Sequence, residues 1–202
     1  MTVDREDEIL DMLLEQSVKM FDSGDEMTAI EMAMSLMDFP EVLMHCPLHH
    51  FIVPAVLLTA CMKADGRSRS RLIESLSEAK KRSKNVLGGF CGYYGACGSA
   101  VGVGIFMSIW TDTTPLSVST WSWTNRATGL CLTEISVIPG PRCCKRTTFI
   151  ALETAVPLIR EWLGIELPEE KAIVCRYSDR NAECKKNLCL YYARKEKGEM
   201  RP

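Results

Sequence analysis

The stretch "MHCPLHH" gathers all three histidines of the chain, His45, His49 and His50, around Cys46. If Pro47 opens a helix, Cys46 stands three or four residues before His49 or His50, and a thiolate and an imidazole share one side of the turn. That spacing suits Zn²⁺ or iron. It equally suits a nucleophile, in which an imidazolium lowers the thiol pKa. Cys46 and His49 are therefore candidate catalytic residues, and Cys143 is a second candidate nucleophile.

A second concentration is "GGFCGYYGACGSAVGVGIF", with seven glycines and two cysteines in nineteen residues. It is not a phosphate cradle of the nucleotide-binding kind, because no Gly-Lys-Ser/Thr ending and no preceding strand accompany it. Cys91 and Cys97 are candidate metal ligands. Gly92, Gly95 and Gly98 let the backbone between them close around a bound group. From Gly95 onward, Gly95, Gly98 or Ser99, and Gly102 recur at helical spacing, a small-residue face that another helix can approach closely.

In "PGPRCCKRTT", adjacent Cys143 and Cys144 fall at the expected start of a helix. The macrodipole and the charges of Arg142, Lys145 and Arg146 are expected to depress their pKa values. Arg142 and Arg146 are also candidates to hold an anion. Neighbours on a helix point roughly 100° apart, so only one of the two thiols is expected to face any one centre. The fourth stretch, "CRYSDRNAECKKNLC", spaces Cys175, Cys184 and Cys189 along a charged, irregular segment. Such a loop has little hydrophobic reason to hold together, and a metal would supply one. Cys91, Cys97, Cys144, Cys175, Cys184 and Cys189 form the set of candidate metal ligands, whereas Cys61 and Cys131 sit in apolar runs and read as core thiols.

The elements that must position these residues are helical. Apolar stripes predict helices over residues 4–21 and 26–37, a very apolar one after Pro47 with a kink at Pro54, and a charged surface helix over 67–84. A buried helix is expected over 100–110, then helices over 121–138 and 142–163 with Gly164 as C-cap. The tail from residue 172 is expected to be an extended piece, a loop and a terminal helix. Strand signals are few. The expected fold class is all-α: a single compact helical domain of about seven to nine helices with an irregular cysteine-bearing C-terminal loop. Residues 1–40 read as a helical hairpin, 41–195 as the cysteine-rich domain and 196–202 as a solvated tail.

A formal charge of −2 and a pI near 6.0 argue against a nucleic-acid partner. The acidic N-terminus lacks the pattern of a secretory signal, and 100–110 is shorter than the roughly 20 residues that span a bilayer. A cytoplasmic protein without membrane attachment is expected. Ten cysteines and eleven methionines in such a chain suggest a reducing compartment and an organism that avoids oxygen.

Taken together, "HCPLHHFIVPA", "GFCGYYGACGSAVGVGIFMSI", "TPLS", "PGPRCCKRTTFIAL" and the closing cysteine pattern resemble an uncharacterised cysteine-rich domain family of anaerobic bacteria and methanogenic archaea. The likeness covers about residues 40–192, in a domain that occurs alone or beside a methyltransferase-like domain. The resemblance implies a redox or methyltransferase-type partner protein. "CGSAVG" is also similar to the glycine-alanine helix of redox-active proteins with scattered cysteines, with Ser99 where alanine is expected.

Two functions from different classes are expected. One is a metal- or iron–sulfur-binding protein, with zinc or an iron–sulfur cluster as cofactor and a redox or sulfur-related role. The other is a thiol-dependent enzyme using Cys46 or Cys143 with a nearby histidine. A structural zinc module for a partner is the third possibility. Because each motif starts a helix, Cys46, Cys91, Cys97, Cys143 or Cys144, and at least two of the C-terminal trio are expected in one cavity beside His49 or His50.

Overall fold

The computed structural model describes residues 3–169 and 172–193, so the expected tail over 196–202 lies outside the described residues. Eight α-helices appear among them: α1 (Val3–Asp22), α2 (Ala29–Met37), α3 (His49–Ala64), α4 (Arg69–Ser83), α5 (Phe90–Tyr93), α6 (Gly98–Trp110), α7 (Thr120–Ser136) and α8 (Cys144–Leu163). The fold is a single compact all-α domain. The amphipathic stripe of α1 buries Ile9, Leu10, Leu13 and Val18. A capping box starts α2, with Thr28 accepting from the Glu31 N–H and the Glu31 carboxylate accepting from the Thr28 N–H. Both helices pack on α3 and share its core.

α3 and α6 are apolar all round and are accordingly buried, as the uninterrupted hydrophobic runs require. α3 continues through Pro54, which cannot donate to the carbonyl of His50 four residues earlier. Ser83 of α4 donates its hydroxyl to that freed oxygen at 3.1 Å. α6 is the centre of the molecule and packs against α3, α4, α7 and α8. A methyl group at Gly98 would lie 2.0 Å from the His50 ring, and one at Gly102 would lie 2.9 Å from Pro54, so α6 meets α3 along these two glycines. Gly95 is not part of this face. It precedes the helix with φ +67 and has no neighbour near its missing side chain. The helix start therefore lies at Gly98, and α5 is a separate single turn.

The surface helix α4 buries Leu72, Leu76 and Ala79 and is tied to α1 by Lys80–Asp11 (2.6 Å) and Lys84–Asp7 (2.8 Å) ion pairs. Gly164 ends α8 in the left-handed conformation at φ 68, as expected of a C-cap glycine. After Ile173 the chain forms 3-10 turns over Ser178–Arg180 and Lys186–Leu188 and a single bridge between Cys175 and Tyr192. The expected terminal helix is not formed up to residue 193. No helix among the described residues is long and apolar enough to cross a membrane.

Candidate functional site

The N-termini of α3, α6 and α8 meet at one end of the bundle around an open cavity of about 920 Å³. Cys46, His49 and His50 reach it from the start of α3, and Cys91, Gly92, Gly95, Cys97 and Gly98 from the glycine stretch. Arg142, Cys144 and Arg146 reach it from the start of α8. A second, closed cavity of about 20 Å³ is lined by Cys143, Cys175, Cys184 and Cys189, with Asn181 and Tyr177. The expected convergence therefore divides in two. The adjacent pair parts, Cys143 entering the closed cavity and Cys144 the open one, but not by a helical step: Cys143 is the extended N-cap of α8 (φ −141, ψ 106) and only Cys144 is helical. Arg146 lines both. Cys61 and Cys131 are fully buried in the core, as their apolar settings predict.

The tail carrying the closed quartet has hydrophobic anchors that the charge-rich sequence obscures. Tyr177 is fully buried and donates its hydroxyl to Asp38 at 3.0 Å, while Arg176 also pairs with Asp38. Tyr191 packs edge-on against Phe149 at 5.3 Å and donates to Glu153. Asn181 is a further residue the sequence did not single out. Its Nδ2 donates to Cys143 Sγ at 3.5 Å, and its Oδ1 accepts from His45 Nε2 at 3.3 Å, so one buried amide joins the two cavities. Only its place between Cys175 and Cys184 could have drawn notice.

Two sulfurs of the closed quartet accept backbone N–H groups two residues ahead: Cys175 from Tyr177 and Cys184 from Lys186, both at 3.4 Å. Lys186 adopts φ 47, a left-handed conformation that a lysine holds only under constraint from its surroundings. Burial raises the Cys175 thiol, and the charges of Cys143, Cys189 and Cys184 push it further the same way. Such mutual repulsion is what a cation among the sulfurs would relieve. The lining contains Arg146 and Lys185 and, among the described residues, no carboxylate.

In the open cavity all three histidines hold one ring nitrogen as a donor. His49 Nδ1 faces the Cys46 carbonyl at 3.1 Å, His50 Nδ1 donates to the Val86 carbonyl at 2.7 Å, and His45 Nε2 faces Asn181 and Glu183. His49 Nε2 and His45 Nδ1 are left buried without a partner. Cys46 Sγ lies 3.5 Å from His49 Nδ1, the pairing expected from their spacing. The expected ion pair is nevertheless absent. Burial holds His49 down to about 3, so its imidazole is neutral, and burial also raises the Cys46 thiol.

The same correction applies at the start of α8. Burial raises Cys143, and it takes Cys144 to about 12 despite Arg142 beside it. Desolvation of a thiolate outweighs the helix end and the neighbouring cations. Lys145 does not face the thiols as a solvated charge. It turns inward, donating to the Met37 and Val42 carbonyls at 3.0 and 3.2 Å, and burial lowers it to about 8. Among the described residues, no group of three or more His, Cys, Asp or Glu side chains is so arranged that it could hold a metal ion.

No curated protein and no solved structure matches the chain. A family model does match, over residues 18–192, and its description is a family of unknown function, DUF5714. The match begins inside α1 and takes in both cavities, and the chain belongs to that family.

Proposed function

We propose that the protein is a cysteine-rich metal-binding protein with a redox or sulfur-related role in anaerobic metabolism, its metal held by Cys143, Cys175, Cys184 and Cys189. The observation that carries this reading is the lining of one cavity of about 20 Å³ by those four thiols, drawn from a helix N-cap and a loop. That volume has room for a single ion. Four soft thiolates select zinc or iron. Loading requires the thiols to turn onto a common centre, and the amide groups of Tyr177 and Lys186 already favour the thiolate at two of them.

The open cavity is the working face, where Cys46, Cys91, Cys97 and Cys144 are reachable and a larger centre such as an iron–sulfur cluster has room. A thiol-dependent enzyme built on Cys46 and His49 has their 3.5 Å contact in its favour, but the neutral imidazole and the raised thiol leave it without a nucleophile at rest. Anaerobic purification followed by metal and acid-labile sulfide analysis tests the proposal. One zinc or iron per chain that survives Cys91→Ser and is lost in Cys184→Ser supports it; a metal-free chain rejects it.

A further inference from the structure

The open cavity carries a charge pattern that a metal in the closed quartet does not account for. Its lining includes Arg142 and Arg146 and, among the described residues, neither Asp nor Glu. Among the described residues Arg142 makes no ion pair. Arg146 is 5 % exposed, donates Nη2 to the Pro141 carbonyl, and keeps a buried Nε–H with no acceptor. A buried guanidinium that lacks an anionic partner is costly. The first turn of α6 adds to the same sign: its N-cap residue, Cys97, makes no side-chain hydrogen bond to the helix end, whereas the Lys145 and Arg146 amides of α8 turn to the Cys143 sulfur. The uncapped N-terminal end of α6 accordingly faces the cavity.

The same cavity is also lined by the apolar side chains of Leu132, Ile135 and Ile138, a wall contributed by α7 and the residues after it. A volume of about 920 Å³ far exceeds an inorganic oxyanion and matches a small organic molecule. We infer that the open cavity binds an organic phosphate, its dianionic head on Arg142, the Arg146 Nε–H and the N-terminus of α6, and its apolar body on the α7 wall. The thiols of Cys91, Cys97 and Cys144 then line the space beside the bound molecule.

Calorimetric titration of the full chain, purified anaerobically, with inorganic phosphate, phenyl phosphate and benzyl alcohol tests this. Phenyl phosphate should bind about tenfold more tightly than inorganic phosphate, and benzyl alcohol should give no binding. Arg142→Gln, at an exposed position, should weaken both phosphates about tenfold, whereas Ile135→Asn should abolish only the preference for the phenyl ester. Absence of phenyl phosphate binding at millimolar concentration, binding unchanged in Arg142→Gln, or equal binding of benzyl alcohol each overturns the inference. Cys184→Ser separates this test from the metal reading. Phosphate affinity should persist in that variant, because none of the phosphate contacts belongs to the closed quartet.

Discussion

The closed quartet draws one cysteine from the N-cap of α8 and three from an irregular segment, while the open quartet is drawn from the starts of α3, α6 and α8 and the glycine turn. The two are one residue apart in sequence at Cys143 and Cys144. In one, four sulfurs share about 20 Å³; in the other, four sulfurs border about 920 Å³. Equal numbers of thiols thus produce a filled joint and an accessible basin, and the difference lies in what carries them. A loop can be drawn inward until its sulfurs surround a single ion. Helix ends held apart by the packing of α3, α6 and α8 cannot.

The largest contrast is expected in stability. If the closed quartet holds the proposed metal, Cys184→Ser should remove it and loosen the tail, costing about 3 kcal/mol or more, since structural metal binding is itself folding free energy. Cys91→Ser should change denaturant stability by no more than about 0.5 kcal/mol, because Cys91 is only partly buried in a single-turn helix. Equal losses in the two variants would erase the distinction between joint and basin.

Within the basin, rigid and permissive backbone should separate next. Gly98→Ala drives a methyl group to 2.0 Å from the His50 ring and should cost about 1–3 kcal/mol, whereas Gly92→Ala meets nothing within 4 Å and should be near neutral. Urea midpoints of the two variants check this.

Acid should act through His49. Its folded-state value near 3 lies below the unfolded value near 6.5, so the unfolded chain binds the extra proton between them. The stability this contributes is complete above about pH 6.5 and falls by up to about 1.4 kcal/mol per pH unit toward pH 3. His50 shifts in the same direction through burial. His49→Gln in the Cys184→Ser background should reduce that slope, with unfolding free energy followed against pH. A smaller effect is expected at the tail anchor, where Tyr177→Phe removes the hydroxyl bond to Asp38 and should cost about 1 kcal/mol.

Much of this arrangement was legible because local rules decide it. The apolar run after Gly98 can only be a buried helix, while Cys143 and Cys144 part at the junction of an extended N-cap and the first helical residue rather than by the expected helical step. The glycines at 98 and 102 declare a close helix contact, though Gly95 shares their spacing without sharing their role. What escaped depends on burial and on distant partners. Thiolate-favouring charges around Cys143 and Cys144 are visible in sequence, while the desolvation that defeats them is a property of the packed core. Nothing local marks Tyr177 and Tyr191 as anchors, because their partners Asp38 and Glu153 are far away in the chain. The division into two cavities likewise requires knowing where the tail docks.

The most direct test of the closed quartet is X-ray absorption at the edge of the metal in anaerobically purified protein. The account predicts a single shell of four sulfurs at about 2.3 Å without nitrogen, unchanged in a Cys91→Ser/Cys97→Ser variant. A shell containing histidine nitrogen, or a metal lost from that variant and kept in Cys184→Ser, would place the centre in the open cavity and contradict it.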